Sequence, residues 1–161
     1  MTALSGTQYE ELARDLITTF EKSGGLVGYK VGFGPKNRLT GASGYAHQID
    51  LSLLGSQQLF LFELKRFKKP IGVAEMLVIA SRKRDISAAY SSRDISASLV
   101  STQRPSRNVA PLAQFFGIKL EIVENIQSYG LSFAHEHFVG HVETIALSDS
   151  CNASVGWAKV A

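Results

Sequence analysis

An α/β domain built on one mixed central sheet, flanked by helices in the order α-β-β-β-α-β, is what this sequence predicts. Three observations carry that expectation. Apolar residues recur at helical spacing over 7–22. Two short apolar runs, 47–54 and 59–65, flank a four-residue turn. Helical and extended patterns then alternate to about residue 123.

The first helix is predicted over 7–22, where Tyr9, Leu12, Ala13, Leu16, Ile17 and Phe20 form one stripe. Ser5 or Thr7 can cap its start, and Gly24-Gly25 ends it. A strand follows over 26–33, and then a loop from Gly34 to Gly44. The runs 47–54 and 59–65 read as a hairpin around Gly55-Ser56-Gln57-Gln58. After the Lys68-Lys69-Pro70 break comes a helix over 72–90, then a strand over 95–101. A short helix over 107–116, capped by Ser106 and ended by Gly117, leads to a strand over 118–123. Residues 131–147 and 153–160 read as further strands. The organisation expected is therefore a core domain over 1–124 with a β-rich C-terminal extension over 125–161 packed on it.

Composition narrows the functional classes. A chain of 161 residues with 45% hydrophobic and 19% charged residues is long enough for a real core and is not disordered throughout. Cys151 is the only cysteine, which excludes an internal disulfide and a Cys-rich zinc site and suits a reducing compartment. With no apolar run long enough to span a bilayer and no signal-like start, a soluble, cytoplasmic protein without membrane association is expected. The net charge of +3 is unevenly spread, because residues 30–107 hold thirteen bases and five acids. Such a concentration suits a polyanion, or equally a solvated basic face.

The chemistry lies at the end of the hairpin. Leu59-Phe60-Leu61-Phe62 is continuously apolar, as in a strand covered on both faces, and it runs into Glu63-Leu64-Lys65. The two-residue period puts Glu63 and Lys65 on one face and Leu64 on the other. If Leu54 pairs with Leu59 across the turn, Asp50 falls opposite Glu63, with Cβ atoms about 4.5–5.5 Å apart. Two facing carboxylates call for a cation or a shared proton, and a hard divalent ion such as Mg²⁺ suits oxygen donors. A strand-end Asp50 beside an ordinary Glu63–Lys65 surface pair is the bland alternative. A third carboxylate can come from the first helix. With Tyr9 at zero, Glu10 falls near 100°, at the edge of the apolar stripe, while Glu11 and Asp15 fall near 200° and 240°, toward solvent.

These residues resemble the PD-(D/E)XK nuclease superfamily, and more narrowly the Mrr-type restriction endonucleases. The matching stretches are Tyr9-Glu10-Glu11-Leu12, Ser43-Gly44 with His47-Gln48-Ile49-Asp50, Phe62-Glu63-Leu64-Lys65-Arg66, and Ala110-Pro111-Leu112-Ala113 before Gly117-Ile118. The resemblance spans residues 7–123 and departs from the family's Pro-Asp at Ile49-Asp50. It implies a restriction-endonuclease-like core and a metal-dependent DNA endonuclease of restriction or phage-defence type. Asp50, Glu63 and Glu10 would hold Mg²⁺, with Mn²⁺ able to substitute. Lys65 would assist a water attacking the phosphodiester in line, leaving a 5′-phosphate and a 3′-hydroxyl. A homodimer suits double-strand cuts, and a partner protein or the tail would supply target recognition. A Holliday-junction-resolvase-like enzyme and a non-catalytic nucleic-acid-binding subunit are the alternatives of the same fold.

Arg66, Lys68, Lys69, Arg82, Lys83, Arg84, Arg104 and Arg107 are candidate backbone-phosphate contacts. His135, His137 and His141 lack a zinc-site pattern and read as strand-edge residues, with His135 and His137 on one face. His47 faces away from Asp50 in a continuous strand and reads as structural. Trp157 reads as core, and Cys151 has no activating neighbour.

Overall fold

A computed structural model describes residues 6–65 and 70–138, with side chains from residue 11 onward. Arg66, Lys68, Lys69, His141, Cys151 and Trp157 lie outside the described residues. The elements are α1 (Gly6–Lys22), β1 (Lys30–Phe33), β2 (Arg38–Thr40), β3 (Ala46–Gln48), β4 (Leu51–Leu54), β5 (Gln58–Lys65), α2 (Val73–Ala89), β6 (Asp94–Ser101), α3 (Val109–Phe116), β7 (Ile118–Ile122) and α4 (Ile126–His137). The α-β-β-β-α-β order expected of a restriction-endonuclease-like core is present as α1-β1-β4-β5-α2-β6. The β2–β3 hairpin is inserted before β4, and α3-β7-α4 is appended.

Five strands form one mixed sheet in the order β1-β4-β5-β6-β7. The pairs β1–β4 and β4–β5 are antiparallel, whereas β5–β6 and β6–β7 are parallel. Strand β5 is thus central, as its unbroken apolar run requires: Leu59 to Leu64 are all buried. Its alternation divides the core. Leu59 and Leu61 join Met76, Ile79 and Ile86 of α2 and Val109 and Ala113 of α3 on one face. Phe60, Phe62 and Leu64 join Leu16 and Phe20 of α1 and Phe133 of α4 on the other. Phe133 meets Phe62 and Phe60 at centroid distances of 5.0 and 5.3 Å, both in edge-to-face geometry.

The predicted register of the β4–β5 hairpin is the one observed, with Leu54 opposite Leu59 and Leu51 opposite Phe62. Its turn is clamped at the end of the sheet far from Glu63. The Gly55 amide donates to Gln58 O at 2.8 Å, Arg93 Nε donates to Gly55 O at 2.8 Å, and the Asp94 amide donates to Gln57 O at 2.8 Å. A Cβ on Gly55 would lie 2.8 Å from the Tyr29 ring.

Several elements differ from expectation. The strand predicted over 26–33 starts only at Lys30, because Gly28, at φ +82°, belongs to a turn closed by the Tyr29 amide on Leu26 O at 3.1 Å. The run 47–54 is two strands with a break at Ile49-Asp50, and β2 occupies part of the predicted Gly34–Gly44 loop. The helix expected from 107 begins at Val109. Ser106 contributes backbone rather than a side-chain cap, accepting from the Val109 amide at 3.0 Å and donating to Ile71 O at 3.0 Å. Gly117, at φ +64°, ends that helix in the left-handed conformation as predicted.

The largest correction concerns the tail. Residues 126–137 form α4, not the beginning of a β extension, and the rest of the predicted extension lies outside the described residues. Asn125 caps α4, its side chain accepting from the Gln127 and Ser128 amides at 2.8 and 3.3 Å. Ile126, Tyr129 and Phe133 recur at helical spacing, Phe138 follows at the C-cap, and all four pack in the core with α1 and the sheet. Gly130, which weakens the helical signal, sits where a Cβ would come within 3.0 Å of Thr19, so it permits the close approach of α4 to α1. His135 and His137 therefore do not share a face: two positions apart on a helix they diverge by about 200°. His135 is exposed, while the His137 ring packs on Phe133 at 4.3 Å. Among the described residues no helix is long and apolar enough to cross a membrane.

Candidate active site

Strand alternation directs Glu63 to the α2 side of β5, where its residue is only 5% exposed. Arg82 of α2 meets it there, with Nη1 2.8 Å from Glu63 Oε1. Lys65, on the same face two residues on, has Nζ 3.9 Å from Glu63 Oε2. Burial and the nearby Asp50 carboxylate push the Glu63 carboxyl up to about 7. The cations of Lys65 and Arg82 oppose that shift without cancelling it.

Asp50 reaches the site by a local rearrangement rather than as a paired strand residue. The chain peels away from β5 at Ile49, whose amide donates to Asn37 O at 3.0 Å and whose carbonyl accepts from Asn37 Nδ2 at 2.8 Å. The same Nδ2 lies 3.1 Å from Ser52 Oγ. The Leu64 amide on β5 is taken instead by Asp50 Oδ2 at 2.9 Å. A backbone donor in a buried strand must find an acceptor, and here the carboxylate supplies it. The Gly34 amide donates to Asp50 O at 3.2 Å and fixes the other side of the kink. Asn37 thus orients the segment bearing Asp50, and it carries no catalytic signature in sequence.

A cavity of about 290 Å³ at the carboxyl ends of β5 and β6 is lined in part by Lys65, Ser101, Thr102, Asp15 and Glu124 but by neither Asp50 nor Glu63, and most of it lies on the α1 and α4 face of the sheet. Glu10 lies in α1, but its side chain falls outside the described residues. Among the described residues no group of three or more His, Cys, Asp or Glu side chains forms a metal cluster.

The basic run Arg82-Lys83-Arg84 is dispersed by the helix. Arg82 faces Glu63 and is not a freely exposed phosphate contact. Lys83 donates to Phe116 O and Gly117 O at 3.1 and 2.8 Å, closing the C-terminus of α3, and partial burial lowers its pKa. Arg84, Arg104 and Arg107 are exposed. The spacing of Arg82 and Lys83 from Ile79 and Ile86 was the available signal that both border the buried stripe. His47, read as structural, contacts Asp85, with Nε2 2.7 Å from Oδ2.

No family model and no curated protein matches the sequence. In fold the chain is similar to protein VC1899 from Vibrio cholerae, at 10% identity and a TM-score of 0.54 over 78% of this chain and 32% of that one. It is also similar to AF1548, a protein of unknown function, at 18% identity and a TM-score of 0.51 over 71% of this chain and 56% of that one. A repair endonuclease from Pyrococcus abyssi aligns at 12% identity and a TM-score of 0.47, over 69% of this chain and 46% of that one. The chain spans between about a third and just over half the length of these structures, and the likeness is one of fold.

Proposed function

We propose that this chain is a metal-dependent endonuclease hydrolysing DNA phosphodiester bonds, of the restriction or defence type its motifs resemble. The observation that carries the reading is the buried Glu63 carboxylate crowded by Asp50, with Lys65 beside it at the end of the central strand. The donors fit a divalent cation. Both are hard oxygen ligands, and a carboxyl pushed up to about 7, first by burial and then by a neighbouring acid, is one whose charged form a bound cation would stabilise beyond what Lys65 and Arg82 supply. Asp50 and Glu63 would hold Mg²⁺ or Mn²⁺, and Glu10 is the proposed third carboxylate. Bound there, such an ion supplies a lowered pKa for water and stabilisation of phosphate charge.

The chain's own residues do the rest. Leu64 N–H and Asn37 keep Asp50 at the strand end. Arg82 occupies one oxygen of Glu63 and limits the orientations its carboxylate can take. Lys65 brings a compact ammonium beside Glu63 at the strand end, suited to charge developing on a phosphate oxygen. Cuts in both strands of a duplex need two such sites, so the active species is proposed to be a homodimer.

The test is incubation of plasmid and branched DNA with Mg²⁺ or Mn²⁺, using wild type, Asp50→Ala and Lys65→Ala. Each substitution is expected to lower the rate by about 10²–10³-fold, the usual effect of removing a group that stabilises transition-state charge. Cleavage unaffected by either sinks the assignment. Cleavage of branched DNA alone favours the resolvase-like alternative.

A further inference from the structure

The tip of the β2–β3 hairpin is held more firmly than a surface turn requires. Asp85 of α2 accepts from the Ser43 amide at 2.8 Å and from Ser43 Oγ at 2.6 Å, and it also contacts His47. The Ala42 amide donates to Asp85 O at 3.1 Å. A Cβ on Gly41 would overlap the Asp85 carboxylate, so a side chain there would push Asp85 out of the latch. Gly44, at φ +84°, completes the turn.

What this latch fixes is Tyr45. Its amide donates to Ser43 Oγ at 3.2 Å, and its carbonyl accepts from the Gly41 amide at 2.9 Å. Its ring stands edge-on to His47 at 4.9 Å, yet the residue is 64% exposed. Tyr45 borders an open depression of about 380 Å³ with Leu77, Val78, Ser81 and Arg82. Leu77 and Val78 are themselves exposed, at 42% and 50%. Contiguous exposed apolar surface marks a contact site. Arg82 joins this depression to the site just described, since its guanidinium rests on Glu63.

We propose that the depression receives an unpaired nucleobase of the strand crossing the active site, stacked on Tyr45 and flanked by Leu77 and Val78. The inference rests on the nuclease reading and adds to it a preference for DNA that presents an unstacked base beside the cut. Three features select a base over a peptide side chain. The depression is open, the backbone that carries Tyr45 is fixed by the latch, and its ring rests edge-on against His47, which also lines the depression, so less conformational entropy is lost on contact than on a free loop. A stacked base needs only a flat ring with apolar edges, and such stacking tolerates any base. Arg82 lines the depression but is paired with Glu63, so the charge that complements the flanking phosphates is that of the stretch 30–107, which holds thirteen bases against five acids and includes the exposed Arg84.

The experiment uses the full chain in chelating buffer, so that no cleavage occurs. A gapped DNA with 2-aminopurine in its unpaired stretch is titrated and followed by fluorescence, beside a fully paired duplex. Wild type and Tyr45→Phe should bind the gapped DNA alike and quench the probe. Tyr45→Ala should bind it about tenfold more weakly and lose the quench, while all three proteins bind the paired duplex equally. Gapped-DNA binding by Tyr45→Ala equal to wild type, with an unchanged thermal melt, overturns the base site and leaves the nuclease reading standing. A loss shared by Tyr45→Phe also overturns it, because the hydroxyl rather than the ring would then be the contact. If wild type binds neither DNA in chelator nor with Ca²⁺ in its place, the nuclease reading itself fails.

Discussion

Replacing Glu63 by Gln keeps the shape of the side chain and removes its charge, so it isolates the electrostatic cost of the candidate site. In the folded protein this carboxyl is pushed up to about 7 from an ordinary 4.5, first by burial and then by Asp50. A raised carboxyl favours folding where it is protonated. Its contribution is fully present below about pH 4.5 and is lost as pH rises toward 7. Across that window the lost stability amounts to about 3 kcal/mol, and for a chain of this size about 6–12 °C in Tm. Thermal melts of wild type and Glu63→Gln, in chelator from pH 4.5 to 8.5, read the pair that Glu63 forms with Asp50, because titrations at sites that do not interact with Glu63 cancel in the difference. Wild type should lose stability relative to the variant between pH 4.5 and 7 and then run parallel to it. Millimolar Mg²⁺ at pH 8 should restore wild type and leave the variant unmoved. Parallel profiles throughout would refute the reasoning: Glu63 would then ionise without crowding, and the case for a cation would lose its physical basis.

Four further outcomes follow from the same geometry. Asn37→Ala removes the side chain that holds Ile49 O and should cost about 1–3 kcal/mol in thermal or denaturant unfolding; it should also weaken Mn²⁺ binding, measured by calorimetry, if it orients Asp50. Lys83→Ala should lower stability by about 1 kcal/mol through the open end of α3 while leaving the salt dependence of DNA binding unchanged. Arg84→Ala should do the reverse, lowering the salt slope by about 1. Asp85 is held down to about 2 by its hydrogen bonds from Ser43 and His47, so its latch stabilises the fold above about pH 3.8 and is lost as pH falls toward 2. Asp85→Ala should therefore flatten the acid limb of the melting profile in that window.

Much of this arrangement was legible because strands obey a period of two. Knowing only that Leu54 meets Leu59 puts Glu63 and Lys65 on one face and brings Asp50 to the same end, and the observed register agrees. The kink at Ile49-Asp50 was not legible, since it depends on Asn37, twelve residues upstream, taking both backbone groups of Ile49. Tail helix α4 was missed because Gly130 reads as a helix weakener in isolation, and its use appears only once α1 lies against it. The basic triplet misled in another way. Adjacent in sequence, Arg82, Lys83 and Arg84 point in three directions about 100° apart, so a run of charge became one counterion, one helix cap and one exposed cation.

The clamped turn at Gly55 has a bearing on how variation in this chain should be interpreted. The turn lies roughly 15 Å from the carboxylates, at the other end of the same hairpin. Because it sets which residue of β4 faces which residue of β5, it determines whether the two acids meet at all. A slip of one position would carry Glu63 to the opposite face of the sheet. Substitutions of Gly55, which has the Tyr29 ring against it, should therefore resemble lesions of the active centre in a mutational scan. Insertions in the turn would be inherited as loss of chemistry, not merely as a longer loop.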